Sequence, residues 1–193
     1  MKKIVTHSGT FHADEVSAIA LLLRVYPDTV IERTYDPETI KKAQIDPEVL
    51  VLDIGRVFEP EHLCLDHHHD PSLPASSVLA LHWIGSEFAP KPAVNYRPFP
   101  NWERVAELLE KNFFGYIDRV DGYVVANTPP TINTIIRACN NLPGTSDENF
   151  YVALGIMAAA LDAQICTAQK RIEAEKMWAE ADQPDAPPIP EYL

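Results

Sequence analysis

The chain has 193 residues, 46% of them hydrophobic and 23% charged, with a net charge of −12, which is enough for one hydrophobic core or a core with a small helical annex. That acidity argues against broad binding to a duplex nucleic acid, which depends on Lys and Arg neutralising phosphates; a phosphorylated small molecule or short oligonucleotide held through bound cations is still allowed. No apolar run approaches the roughly 18–20 residues of a bilayer span, so no membrane partner is expected.

Lys3 to Thr6 reads as a strand, and the apolar stretch around it is broken at once by Thr6 and His7, unlike a signal peptide. A helix is predicted from Ala13 to Tyr26, with Val16, Ile19, Ala20 and Leu23 on one face. Val30 to Tyr35 is a second strand, and Asp36 caps the short helix DPETIKKA, with Pro37 at its first position and Glu38 at its positive end. Val49 to Ile54, within VLVLDIG, is almost wholly apolar and predicts a central strand buried on both faces. The short strand HLCLD ends at Asp66. A helix is predicted from Ser76 to Phe88, then a proline-rich connection APKPAVNYRPFP, then helical periodicity from Asn101 to about Val120. From Asp147 to Ala181 a stripe of Phe150, Leu154, Met157, Leu161, Ile165, Ala168 and Ile172 marks an amphipathic packing helix. The fold class is therefore α/β, a mainly parallel sheet flanked by helices with a helical C-terminal part. Residues 1–125 form a metal-binding α/β domain, 126–181 a helical extension on the same core, and 182–193 a loosely held proline-rich tail. Cys64, Cys139 and Cys166 form no CxxC pair and suit reduced thiols in a cytoplasmic protein.

HSGTFHADE follows the first strand, LDIG closes the central one and LDHHHD closes the next. Ligands in parallel α/β sheets bind at the carboxyl ends of the strands, so His7, His12, Asp14, Asp53, Asp66 and His67 are brought to one edge by topology. In IDRVDG, Asp118 and Asp121 stand three apart and share a helix face. Taken singly, His7 and His12 read as a surface histidine and a helix cap, and Asp14 as a partner of the helix dipole. Asp53 is different: a carboxylate at the end of an apolar strand is costly to bury without a cation or several donors. Carboxylate and imidazole without thiolate suit Mn²⁺, Mg²⁺, Fe²⁺ or Zn²⁺. Cys64, on the strand before Asp66, reads as a small packing residue.

HSGTFHADE, VLDIG, DHHH followed by PASSVLALHWIG, and IDRVDG resemble the four motifs of the DHH phosphoesterase superfamily, which includes the RecJ nucleases, family II inorganic pyrophosphatases and oligoribonucleases. Within it the chain is most similar to the melanocyte-proliferating-gene family of metal-dependent hydrolases and exonucleases, over about residues 4–180. The resemblance implies two divalent cations, with Mn²⁺ favoured over Mg²⁺ or Zn²⁺. It puts His7 and His12 with Asp53 on one, and Asp14, Asp53, His67 and Asp121 on the other. His68 would then face the substrate phosphate, with Asp66 orienting a histidine. The reaction implied is two-metal hydrolysis with in-line attack by a water of lowered pKa.

Arg56 is a candidate phosphate clamp, and Ser76 and Ser77 open a helix whose N-terminus can hold a substrate anion. Relatives of this type continue into a further substrate-binding region, and no Gly-rich, arginine-bearing motif is evident after residue 140. The expectation is then a site completed by another subunit, a small substrate, or a minimal form with altered activity. The competing readings are a mononuclear zinc hydrolase and a metal- or nucleotide-binding module without catalysis. The stripe of the last helix can pack internally or across a homodimer.

Overall fold

Strand β1 (Lys3–Thr6) is the pivot of a computed structural model that describes residues 1–86, 88–89, 101–122, 124 and 131–180. Most of the expected proline-rich connection and the tail from residue 182 lie outside the described residues. On one side β1 pairs in parallel with β2 (Val30–Arg33), and on the other with β3 (Val49–Leu52). Strand β3 pairs in parallel with β5 (Cys64–Leu65), and the edge is closed by β4 (Phe58–Glu59), antiparallel to β5. The order β2-β1-β3-β5-β4 places a topological switch point between β1 and β3. Strand β4 was not expected, because two residues carry no readable alternation.

The inner strands β1, β3 and β5 are buried on both sides, as the unbroken apolar run of β3 requires, while β2 and β4 at the edges are partly exposed. Ile4, Leu50, Leu52 and Leu65 join the main core, while Val5, Val49, Val51 and Cys64 form a second cluster with Ala43. Ala43 lies on α2 (Pro37–Gln44), whose N-cap Asp36 accepts from the Thr39 amide at 2.9 Å. Helix α1 (Ala13–Val25) is buried nearly all round rather than on one face, because it lies between the sheet and two later helices. Those are α3 (Ser76–Ile84) and α7 (Ser146–Glu180). Helix α3 stops short of the expected Phe88. A Cβ added at Gly85 would stand 3.2 Å from the Trp102 indole nitrogen, and the Ser86 hydroxyl closes on the Trp83 carbonyl at 2.7 Å.

Asn101 leads into α4 (Trp102–Leu109), a π-helical turn (Glu110–Phe114) and α5 (Gly115–Asp121). The wide turn brings the Glu110 carbonyl to 2.7 Å from where a Cβ at Gly115 would stand, so this close approach needs glycine. A short helix that the periodicity did not single out, α6 (Ile132–Cys139), follows Thr131. Every residue of the expected α7 stripe, Phe150 through Ile172, is buried, so that stripe packs internally, against α1, α4 and α6. One expectation is corrected here. Over an 18-residue window α7 reaches a mean hydropathy of 1.5, long and apolar enough by length and composition alone to cross a membrane, with 33% of that window buried. The stretch from Phe150 to Leu161 carries no charged residue, and its outer face, with Tyr151, Val152 and Ile156 exposed, is itself largely apolar. Cys64, Cys139 and Cys166 are free.

Candidate metal centre

The loop from β1 to α1 carries His7 and His12, and residues far along the chain set its path. Gly9 turns it at φ +73°. The Gly9 carbonyl accepts from the Arg33 guanidinium at 2.7 Å and from the Ser146 hydroxyl at 2.6 Å. Arg33 itself lies over the Phe150 ring at 4.4 Å. Phe11, fully buried, meets Phe150 edge-on at 5.7 Å. His12 precedes α1, and its amide donates to Glu15 Oε1 at 2.8 Å, a capping arrangement that satisfies one of the orphan donors of a helix start.

The second wall comes from the ends of β3 and β5. Asp53, Gly55 and Arg56 all have positive φ (56°, 96° and 56°). For two residues with side chains that is a strained conformation, maintained by what surrounds it. Asp66 holds the Arg56 end, and Leu65 the Asp53 end: Asp66 Oδ2 accepts from the Arg56 amide at 2.6 Å and the Leu65 carbonyl from the Asp53 amide at 3.1 Å, while Asp66 Oδ1 accepts from the His68 amide at 3.0 Å. The same Oδ1 lies 2.7 Å from His68 Nδ1, so Asp66 orients that imidazole. The Arg56 side chain is exposed on the cavity rim.

The start of α3 corrects one expectation. The amides of Ser76 and Ser77 donate to Asp14 at 2.9 and 2.8 Å, and the Ser76 hydroxyl donates to Asp53 Oδ1 at 2.9 Å. Both serines are completely buried. The helix N-terminus therefore receives an anion, but that anion is the chain's own Asp14 rather than substrate. One turn of α5 separates the other two aspartates by role. Asp118 accepts from the Ala75 amide at 2.7 Å, ahead of α3, while Asp121 turns toward His67.

His67 Nε2 stands 3.4 Å from Asp53 Oδ1, 3.5 Å from Asp121 Oδ2 and 3.7 Å from Asp14 Oδ2, yet has no hydrogen-bond partner among the described residues. On the other side, His7 Nε2 lies 3.5 Å from Asp53 Oδ2 and 3.0 Å from Glu15 Oε1. Glu15 Oε2 is buried with no partner among the described residues. Donors about 2.1 Å from one cation stand roughly 3.0–3.4 Å apart in octahedral or tetrahedral coordination, so these spacings suit ions between them. Three donor groups result: His7, His12 and Glu15; Asp53, His67 and His68; and Asp14, His67 and Asp121. Each has the oxygen and imidazole donors that divalent cations take.

The electrostatics agree. Burial, together with the Asp53 and Asp121 charges, pushes the Asp14 carboxyl well above its ordinary range. Asp121 is raised by burial and by Asp53, with His67 opposing. Asp53 is held well below the carboxylate range: burial opposes this, but the facing His67 and His7 imidazoles prevail. His67 rises to about 9 through the facing Asp53 carboxylate, against the cost of burial. His7, despite heavier desolvation, rises to about 11 through Asp53 and Glu15. Such crowding of buried carboxylates is costly unless cations offset it.

These groups share a cavity of about 940 Å³ with Tyr35, Asn133 and Arg137. Tyr35 stacks on His7 at 5.9 Å. Residues 3–78 match the MYG1_exonuc family model, described as an uncharacterised protein family (UPF0160). The chain is 44% identical over 68 residues to the MYG1 exonuclease of Homo sapiens, covering 34% of this chain and 17% of that protein. It is 32% identical over 133 residues to the MYG1 protein of Dictyostelium discoideum, covering 62% of this chain and 37% of that one. A MYG1 protein of Chlamydia trachomatis is 38% identical over 69 residues, 35% of this chain and 22% of that protein. The chain thus spans well under half the length of these relatives. No solved structure matches it.

Sequence reasoning missed four residues of the site. Glu15 was legible in HADE as the residue after Asp14, and its place in a capping box masked its second role. Tyr35, Asn133 and Arg137 come from β2's end and α6, with no local motif to mark them. Cys64 is a packing residue in the cluster against α2, where burial pushes its thiol up to about 11.

Proposed function

We propose that the chain is a metal-dependent phosphoesterase of exonuclease type, acting through two divalent cations, Mn²⁺ first, on a nucleotide or short single-stranded RNA. The observation that carries this reading is the placement of Asp53. One of its oxygens faces His67, the other faces His7, as a carboxylate shared between two cations must. Bound cations would supply Lewis-acid charge at a phosphoryl oxygen and a water of lowered pKa.

The chain's own groups do the rest. Asp14, His67 and Asp121 hold one ion with Asp53. His7 and His12 hold the other with Asp53, and Glu15 stands beside them. Asp66 fixes the His68 ring, and its hydrogen bond, against partial burial, raises the imidazole above its ordinary value. His68 is therefore a proton donor on the cavity wall, suited to the leaving oxygen or a phosphoryl oxygen. Arg56, at the rim, holds a phosphate oxygen.

The test is metal content per chain together with hydrolysis of a generic phosphodiester in Mn²⁺, for wild type and Asp53→Ala. Two ions per chain and activity abolished by the substitution support the reading. Activity with a single ion returns a mononuclear hydrolase. A protein that takes up no divalent metal, or an Asp53→Ala variant as fast as wild type, overturns it.

A further inference from the structure

Helix α6 closes one wall of the metal cavity with two residues one turn apart, Asn133 and Arg137. At i and i+4 they share a helix face. Asn133 is 6% exposed, and its Oδ1 has no hydrogen-bond partner among the described residues. An unpaired buried acceptor costs on the order of a lost hydrogen bond, so a native chain keeps one where a ligand supplies the donor. Arg137 is exposed to the cavity. Among the described residues the arginines paired with carboxylates are Arg24, Arg33, Arg104 and Arg171. Arg137 is not one of them, nor is Arg56.

The cavity is otherwise strongly anionic, with Asp14, Asp53, Asp66 and Asp121 on its walls. Arg56 and Arg137 are its only permanent cations among the described lining residues. They come from different parts of the chain, Arg56 beside Asp53 at the end of β3 and Arg137 on α6. An arginine of this kind, unpaired with acids among the described residues of a chain of net charge −12, suits bidentate binding of an oxyanion, phosphate above all.

Building on the phosphoesterase reading, we propose that α6 forms a substrate subsite next to the metal centre: Arg137 binds a phosphate other than the scissile one, and Asn133 accepts a hydrogen bond from a sugar hydroxyl. The substrate class is then a ribonucleotide with at least two phosphates, a 5′-phosphorylated dinucleotide or a longer single strand. When the hydroxyl it reads is the 2′ one, this acceptor also distinguishes ribose from deoxyribose, since that is the group that differs.

The experiment measures equilibrium binding in Mn²⁺ of a phosphorothioate-linked, 5′-phosphorylated ribodinucleotide, its deoxy counterpart and a nucleoside 5′-monophosphate. Wild type, Arg137→Gln and Asn133→Ala are compared, with hydrolysis of the ordinary phosphodiester dinucleotide followed in parallel. Arg137→Gln is expected to weaken dinucleotide binding about tenfold or more, the value of a charge-assisted contact, and monophosphate binding far less. Asn133→Ala is expected to erase the preference for the ribo form. No dinucleotide binding by wild type, or equal affinity in Arg137→Gln, or the same loss for one phosphate as for two, overturns the subsite. Arg137-dependent binding without any hydrolysis by wild type overturns the phosphoesterase reading instead and leaves the subsite standing.

Discussion

The side-chain amide of Asn140 brackets the backbone of Phe11, accepting from its amide at 3.0 Å and donating to its carbonyl at 2.9 Å. Asn140 sits just after α6, and Phe11 lies between His7 and His12, so the C-terminal helices directly hold the loop that carries both histidines. Asn140→Ala leaves both Phe11 groups without that partner. The expected cost is about 1–3 kcal/mol, seen as a lowered melting temperature. Metal affinity should fall with it, because the loop is no longer held in its ligand geometry. An unchanged melting temperature and affinity would show that the clasp is incidental.

Asp118 and Asp121 separate cleanly by substitution. Asp121 faces His67 at 3.5 Å, while Asp118 accepts from the Ala75 amide. Asp121→Asn is expected to reduce Mn²⁺ affinity by at least the roughly 10- to 100-fold typical of residues supporting a metal site. Asp118→Ala should instead lower stability by about 1 kcal/mol through the lost hydrogen bond, with metal stoichiometry preserved. Isothermal titration with Mn²⁺ and thermal melts on the same samples distinguish the two.

Glu15 provides a third test. Its Oε1 already serves the His12 amide and lies near His7, and its Oε2 is buried without a partner among the described residues. Glu15→Gln keeps an acceptor for the helix cap and removes the charge. The expected result is a folded protein that loses the cation beside His7 and His12 first, going from two ions per chain to one. If both ions remain at wild-type affinity, Glu15 is a capping residue only.

If the site takes cations as proposed, protons compete with them. In the metal-free protein His67 is raised from 6.5 to about 9 by Asp53, so its protonated form stabilises the fold. That contribution is fully present below about pH 6.5 and is lost as pH rises through about 9. Ligation needs the neutral ring, so each cation bound must release protons. Melting temperature in chelator is expected to fall between pH 7 and 9, while apparent Mn²⁺ affinity rises over the same window. Scanning fluorimetry across that range, with and without Mn²⁺, checks both slopes, and affinity that falls with pH would contradict the scheme.

Much of this molecule is readable locally. The run Val49 to Leu52 announces a strand buried on both faces because no polar residue interrupts it, and the stripe from Phe150 to Ile172 keeps a helical period over many turns. Parallel connections then bring His7, Asp53 and Asp66 to the same sheet edge, since each directly follows a strand. Other features depend on where distant elements come to rest. Ser76 and Ser77 look like an open anion site in isolation, and only the packing of α3 on α1 fills that site with Asp14. Asp121 rather than Asp118 meets His67 because α5 packs against α1 and α3 with that face inward. Asn133 and Arg137 carry no motif at all, and become part of the cavity when α6 docks beside α7. Local pattern sets which elements form, because period and capping are properties of neighbouring residues. Which side chains share a site is decided by contacts between residues as far apart as Phe11 and Asn140, and those exist only once the chain has folded.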